Sequence, residues 1–271
     1  MEGKASHLRA RYGAETPLPG AWSETLDLLL AHRSVRAYLP EPLPAGALEA
    51  AIAAAQSAST SSNLQAWSVI AVEAAERRQL FAALSDNPHI AKAPLLLVWL
   101  ADLARLRELS RLQGEAGEGL DYFEGFLLAA VDAALAAQNA AIALESMGLG
   151  CCYIGGMRNR PLDVAAALGL PDQVFALFGM AVGRPDPDRP AAVKPRLPQA
   201  AVLFRDRYQW GEAQQAAIAA YNERLRSFQR GQKMREQDWT AQATARVRDA
   251  LALTGRDILK DVLHRFGFKL R

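Results

Sequence analysis

Apolar residues recur along this chain with two different periods. Leu26, Leu29 and Leu30 lie at helical spacing behind Ser23, a residue type that caps helix N-termini, and predict a short helix over Glu24 to Ala31. Pro40, Pro42 and Pro44 punctuate a connector, and Ala45 to Gln56 is an alanine-rich helical stretch. Residues 57–63 are nearly all hydroxyl or amide, a loop by composition, and Trp67 to Glu73 then turns strand-like around Val69, Ile70 and Val72. Glu76 to Leu84 predicts an amphipathic helix, Asp86-Asn87-Pro88 a turn, and the unbroken apolar run Leu95 to Leu100 a buried central strand. A further helix starts near Asp102.

The longest helical pattern runs from Glu124 to Met147 and stops at Gly148 and Gly150. It is apolar on several faces, as in helices buried inside a domain or at a subunit interface. Asp132, Gln138 and Asn139 interrupt its most apolar part, so it reads as a buried helix and not a membrane span. Cys151 to Ile154, Phe175 to Val182 and Ala201 to Phe204 predict more strands, and Ala216 to Phe228 and Trp239 to Phe266 more helices. The order implies an α+β domain over residues 23–210, one sheet enclosed by helices. Residues 211–271 form a mostly helical extension that needs another surface to lie on, either this domain or a second copy. Residues 1–22 lack the apolar core of a signal peptide and read as a loose leader.

Composition narrows the function. A 271-residue chain that is 51% hydrophobic and 22% charged buries a sizeable core. A net charge of +2, with no basic stripe interleaved with aromatics, argues against a nucleic-acid partner. The charge is uneven: residues 206–271 carry 13 basic and 8 acidic side chains, which suits a phosphate-bearing ligand or an acidic partner. Cys151 and Cys152 are adjacent and read as packed thiols, in a reducing, cytoplasmic compartment. The four histidines have no metal-ligand spacing. Gly148, Gly150, Gly155 and Gly156 fail the dinucleotide fingerprint, whose third glycine would fall at Tyr153.

Anion chemistry concentrates in His32-Arg33-Ser34-Val35-Arg36, just after the first helix. Two readings fit these cations: they complement the negative helix end, or they hold an anion. Lys194-Pro195-Arg196 is a second basic cluster in an extended tripeptide, and the two clusters together have the mixture that grips a phosphate.

With these pieces in view the sequence resembles the nitroreductase-fold flavoenzymes, specifically the oxygen-insensitive NADPH nitroreductases and NADPH flavin reductases. The resemblance is carried in order by His32 to Arg36, Ser59-Thr60-Ser61-Ser62-Asn63-Leu64-Gln65, Ala137 to Ala140 with Glu145 to Gly150, Tyr153-Ile154-Gly155-Gly156, and Phe178-Gly179 through Lys194 to Pro198. It implies the nitroreductase fold, a central mixed sheet enclosed by helices, in an intertwined homodimer holding two FMN molecules at its interface. The C-terminal segment of each subunit would embrace the other.

Carried over by position, His32, Ser34, Lys194 and Arg196 would bind the FMN phosphate, with Arg33 also at the cofactor. Arg36 would lie at the flavin N1 and O2 edge, where a fixed guanidinium favours negative charge. Ser59, Thr60, Ser61 and Asn63 would contact the ribityl chain and pyrimidine ring. The backbone after Tyr153, at Ile154, Gly155 and Gly156, would approach N5, where glycine admits close contact. Asn87 stands where a flavin-contacting Gln is usual, and Asn63 where close relatives often carry an aromatic. Arg230 and Arg235 align with arginines that meet the 2′-phosphate of NADPH, and Glu124 with a residue on the substrate face; solvated helix charges are the competing reading for all three. The implied activity moves electron pairs from NADPH, ping-pong, to a nitroaromatic, quinone or free flavin, with no obligatory side-chain acid or nucleophile and no metal. The alternatives are a flavin-binding sensor or carrier without turnover, or another reaction of the fold such as dehalogenation.

Overall fold

The computed structural model describes residues 2–13, 16, 17 and 19–271, with side chains described from residue 6 onward. Met1, Ala14, Glu15 and Leu18, part of the expected leader, lie outside the described residues. In chain order the elements are α1 (Glu2–Tyr12), α2 (Glu24–Ala31), α3 (Ala47–Gln56), β1 (Trp67–Val72), α4 (Ala75–Ser85), β2 (Leu95–Asp102), α5 (Ala104–Leu112), α6 (Phe123–Ser146), β3 (Gly150–Ile154), α7 (Pro161–Leu168), β4 (Val174–Gly183), α8 (Glu212–Gly231), α9 (Trp239–Arg246) and α10 (Leu259–Arg265). They form two compact units, one of residues 1–33 with 191–253, the other of residues 34–190 with 254–271.

The larger unit is built on a sheet of strand order β1-β2-β4-β3. Every residue of β2 is buried, and all but Phe178 of β4, which explains their unbroken apolar sequence: both faces are covered. On one face Leu95, Leu97 and Trp99 meet Ala51 and Ala55 of α3 and Ala136, Ala137 and Ala140 of α6. Alanine along both helices lets their backbones come close, and the Asn139 amide of α6 donates to the Ala54 carbonyl of α3 (3.2 Å). A second cluster joins Phe175 and Leu177 of β4 and Ala129 and Ala133 of α6 to Val262, Leu263 and Phe268 near the C-terminus. Part of the C-terminal extension therefore finds its apolar surface within this same chain. Asp121, almost fully buried at the start of α6, is held by Arg107 (2.6 Å) and Lys269 (2.7 Å).

The smaller unit holds α1, α2, α8 and the segment around Lys194. Leu8 and Arg11, three residues apart on one face of α1, are both buried, and Tyr221 of α8 donates to the Pro195 carbonyl (3.1 Å).

Four expectations are corrected. All three strand pairings are antiparallel, not mixed; strand direction follows the path of the connections, which hydrophobic period does not encode. Ala201 to Phe204 forms no strand; the chain makes a short turn over Gln199–Ala201 and leaves Val202 and Leu203 exposed, with no neighbouring edge to pair with. The long helix expected over Trp239 to Phe266 is broken: α9 ends at Arg246 and α10 begins at Leu259, and in the connection between them Thr254 and Gly255 adopt positive φ (56° and 80°), outside helical geometry. Where a loose leader was expected, Glu2–Tyr12 is helical.

Candidate functional site

The pentapeptide after α2 is fixed by its fourth residue, Val35. Val35 is buried, its amide donates to the Cys151 carbonyl (2.9 Å), and its own carbonyl accepts from the Tyr38 hydroxyl (2.5 Å). A Cβ on Gly150 would lie 2.5 Å from Val35 Cγ2, so only glycine lets β3 approach this closely. Alternation then leaves Ser34 and Arg36 exposed on either side of Val35. His32, which caps the C-terminal end of α2, is half-buried, and Arg33 is exposed.

In the smaller unit, the other basic cluster is held by its backbone: the Lys194 carbonyl accepts from Arg11 (2.7 Å) and the Arg196 amide donates to the Arg11 carbonyl (2.8 Å). The Lys194 and Arg196 side chains are exposed. Among the described residues no carboxylate pairs with Arg33, Arg36 or Arg196.

In the larger unit the hydroxyl-rich loop hangs from one buried carboxylate. Asp132 on α6 accepts from the Thr60 hydroxyl (2.5 Å), the Ser61 amide (3.2 Å) and the Ala66 amide (3.1 Å), while Thr60 Oγ1 accepts from the Gln65 amide (2.9 Å). Ser62, Asn63 and Gln65 all take positive φ (47°, 56° and 50°), a costly conformation for non-glycine residues that the Asp132 anchor sustains. Ser59, Ser61 and Asn63 stay exposed. Thr60 differs from its neighbours, since its hydroxyl is spent on Asp132.

The turn carrying Asn87 packs on the end of β3. Asn87 donates to the Ser85 carbonyl (2.6 Å), and a Cβ on Gly156 would lie 2.4 Å from that same oxygen. Ile154 is buried, Gly155 is half-buried, and the exposed Tyr153 ring meets Phe178 at a tilt of 55° with centroids 5.4 Å apart. Glu124 is exposed in the first turn of α6. Arg230 is exposed and engaged bidentately by Glu236 (3.0 and 2.9 Å), which holds the Glu236 carboxyl below its usual range; Arg235 is exposed.

Three residues escaped the sequence reading. Asp132 was visible only as an interruption of an apolar helix, which is the signal of a buried carboxylate with a task. Arg11 lay in the presumed leader. His89, two residues beyond Asn87, has a buried Nε2 without a partner, and burial together with the nearby Arg36 charge lowers its pKa.

Comparison with known proteins agrees with this architecture. The sequence pattern of the nitroreductase family matches residues 29–184, and that of the nitroreductase family C-terminal domain residues 194–271. The FMN reductase (NADPH) of Bacillus subtilis strain 168 is 36% identical over 251 residues, 91% of this chain and 98% of that protein. The oxygen-insensitive NADPH nitroreductase of Salmonella typhimurium is 37% identical over 254 residues, 92% of this chain and all of that protein. The structure of the NfrA1 nitroreductase from B. subtilis superposes with a TM-score of 0.85 at 36% identity, covering 91% of this chain and all of that one. The chain belongs to the nitroreductase family and is an oxidoreductase of that type.

Proposed function

We propose that this protein is an FMN-dependent enzyme that takes electron pairs from NADPH and delivers them, ping-pong, to a nitroaromatic, a quinone or free flavin. The observation that carries the reading is that Arg33, Arg36 and Arg196 are exposed, have no carboxylate partner among the described residues, and stand within the segments that match the nitroreductase family patterns. Unopposed guanidiniums suit an anionic ligand, and a dense hydroxyl and amide loop suits a polyol chain and a pyrimidine edge, so the donor set fits a phosphorylated flavin. When bound, FMN supplies the two-electron chemistry.

The chain's own part is binding and orientation. His32, Arg33, Ser34, Lys194 and Arg196 hold the phosphate, and Ser59, Ser61 and Asn63 hold the ribityl chain and pyrimidine, with Thr60 setting the loop through Asp132. Arg36 favours negative charge at the ring edge beside it. Ile154, Gly155 and Gly156 offer backbone to the ring, and Asn87 braces that turn through Ser85. Arg230 and Arg235 read the NADPH 2′-phosphate, in competition with Glu236 for Arg230. Glu124 meets the electron acceptor.

The working form is a homodimer. Leu127, Val131 and Leu135 form an exposed apolar stripe along α6 (44%, 49% and 44% exposed), four residues apart, of the kind a second copy covers. Two free, buried cysteines accord with a reducing, cytoplasmic setting. Anaerobic mixing of the FMN-loaded protein with NADPH tests the function: bleaching of the flavin within seconds supports an enzyme, and a spectrum that does not change supports a sensor or carrier.

A further inference from the structure

The family pattern begins at residue 29, and nothing in the proposed function uses α1. Yet α1 sends one buried side chain into the backbone of both basic clusters. Arg11 is only 5% exposed. Its Nε donates to the Leu30 carbonyl (3.1 Å), its Nη1 to the Lys194 carbonyl (2.7 Å) and its Nη2 to the His32 carbonyl. The exchange is reciprocal, because the Arg196 amide donates to the Arg11 carbonyl (2.8 Å). Arg224 of α8 donates to the Tyr12 carbonyl, which ties down the end of α1.

The electrostatics give this contact a purpose. Helix α2 ends at Ala31, so its last carbonyls lack intrahelical partners and carry the negative end of the helix dipole. That potential is the wrong sign for a phosphate beside His32. A guanidinium sunk among those carbonyls cancels it and fixes the backbone of both segments. It leaves the Arg33, Lys194 and Arg196 side chains exposed.

We propose that Arg11 is a positioning residue for phosphate recognition: the N-terminal helix pins the two basic segments against each other and so sets the preference for FMN over riboflavin. This rests on the flavin reading above. Arg11 touches no ligand itself; it acts through the backbone of His32, Lys194 and Arg196.

Riboflavin lacks only the phosphate, so titrating the full-length protein with FMN and with riboflavin isolates the effect. Arg11→Met should weaken FMN binding by about ten-fold or more, the equivalent of losing one charge-assisted bond, and leave riboflavin binding within about two-fold. Arg9→Ala, on the exposed side of the same helix, should change neither. An Arg11→Met protein that keeps the parental ratio of FMN to riboflavin affinity overturns the proposal, as does an equal fall in both affinities, which marks a merely structural role. If Arg11→Met does not fold, Arg11→Lys decides: it keeps the charge but not the three-way fork, and an unchanged ratio there is equally fatal. A parent protein that binds riboflavin as tightly as FMN removes the phosphate site itself, a failure distinguishable from the loss of Arg11's role alone.

Discussion

Two groups of exposed or half-exposed arginines differ in their company. Arg33, Arg36 and Arg196 face solvent with no carboxylate partner among the described residues, whereas on α8 Arg230 holds Glu236 and Arg226 bridges Glu223 and Asp238. Sequence alone presents the second group as the more basic region, since residues 206–271 hold 13 cations. Structure separates these named arginines for anion binding: a guanidinium already forked onto a carboxylate must release it before it can hold a phosphate, and an unpartnered one need not. Counting charges locates basic surface, and pairing decides which part of it is free to bind.

The sharpest way to test that contrast is to remove the basic side chains beyond β4 that are proposed to hold the phosphate. A Lys194→Ala, Arg196→Ala double variant should weaken FMN binding by more than about a hundred-fold, since each charge-assisted hydrogen bond is worth about 1.5–3 kcal/mol, while riboflavin binding stays near that of the parent. Equal losses for both ligands, read by fluorescence titration, would show that these cations do not meet the phosphate.

A paired carboxylate should behave in the opposite way. Asp121→Ala strands Arg107 and Lys269, and thermal or denaturant unfolding should register a loss of about 1–3 kcal/mol with the FMN to riboflavin ratio untouched. Lys269 and Arg107 hold the Asp121 carboxyl below its usual range. Its folded pKa is therefore depressed, so its stabilising contribution is complete above the unfolded carboxylate value near pH 4 and disappears as pH falls through the lower folded value. Acid unfolding of Asp121→Asn should accordingly show a shallower pH dependence than the parent; identical slopes would remove Asp121 from that role.

Arg36 should act on potential more than on affinity. For a two-electron couple about 30 mV corresponds to about 1.4 kcal/mol, so Arg36→Ala should lower the bound flavin's midpoint potential by tens of millivolts. An unchanged potential in a variant that still holds FMN would take Arg36 away from the ring edge. The smallest effect belongs to the tail: Arg230→Ala with Arg235→Ala should reduce the preference for NADPH over NADH by a few-fold, because Glu236 already competes for Arg230. Steady-state kinetics with both nucleotides would refute this reading if the two efficiencies fell together.

Much of this was legible in the chain. The unbroken apolar runs at β2 and β4 announce strands covered on both faces, and Ser23 and Gly148 mark helix ends. The basic and hydroxyl-rich motifs are local, so their residues can be named from sequence. What holds them is not local. Asp132 lies 72 residues from Thr60, and Arg11 183 from Lys194, and periodicity carries no information about such pairs. Strand direction was hidden for a similar reason, as was the break between Arg246 and Leu259, where the backbone leaves helical geometry under a continuing helical pattern. The presumed leader concealed Arg11 because a single buried arginine on a polar helix has no compositional signature.

The central claim is that this chain grips one flavin mononucleotide through its phosphate. Calorimetric titration of the purified, flavin-stripped protein with FMN, alongside riboflavin, tests it most directly. The account predicts one FMN bound per chain, with an affinity at least about ten-fold above that for riboflavin, the equivalent of one charge-assisted bond. No heat of FMN binding, or equal affinities for the two flavins, would contradict it.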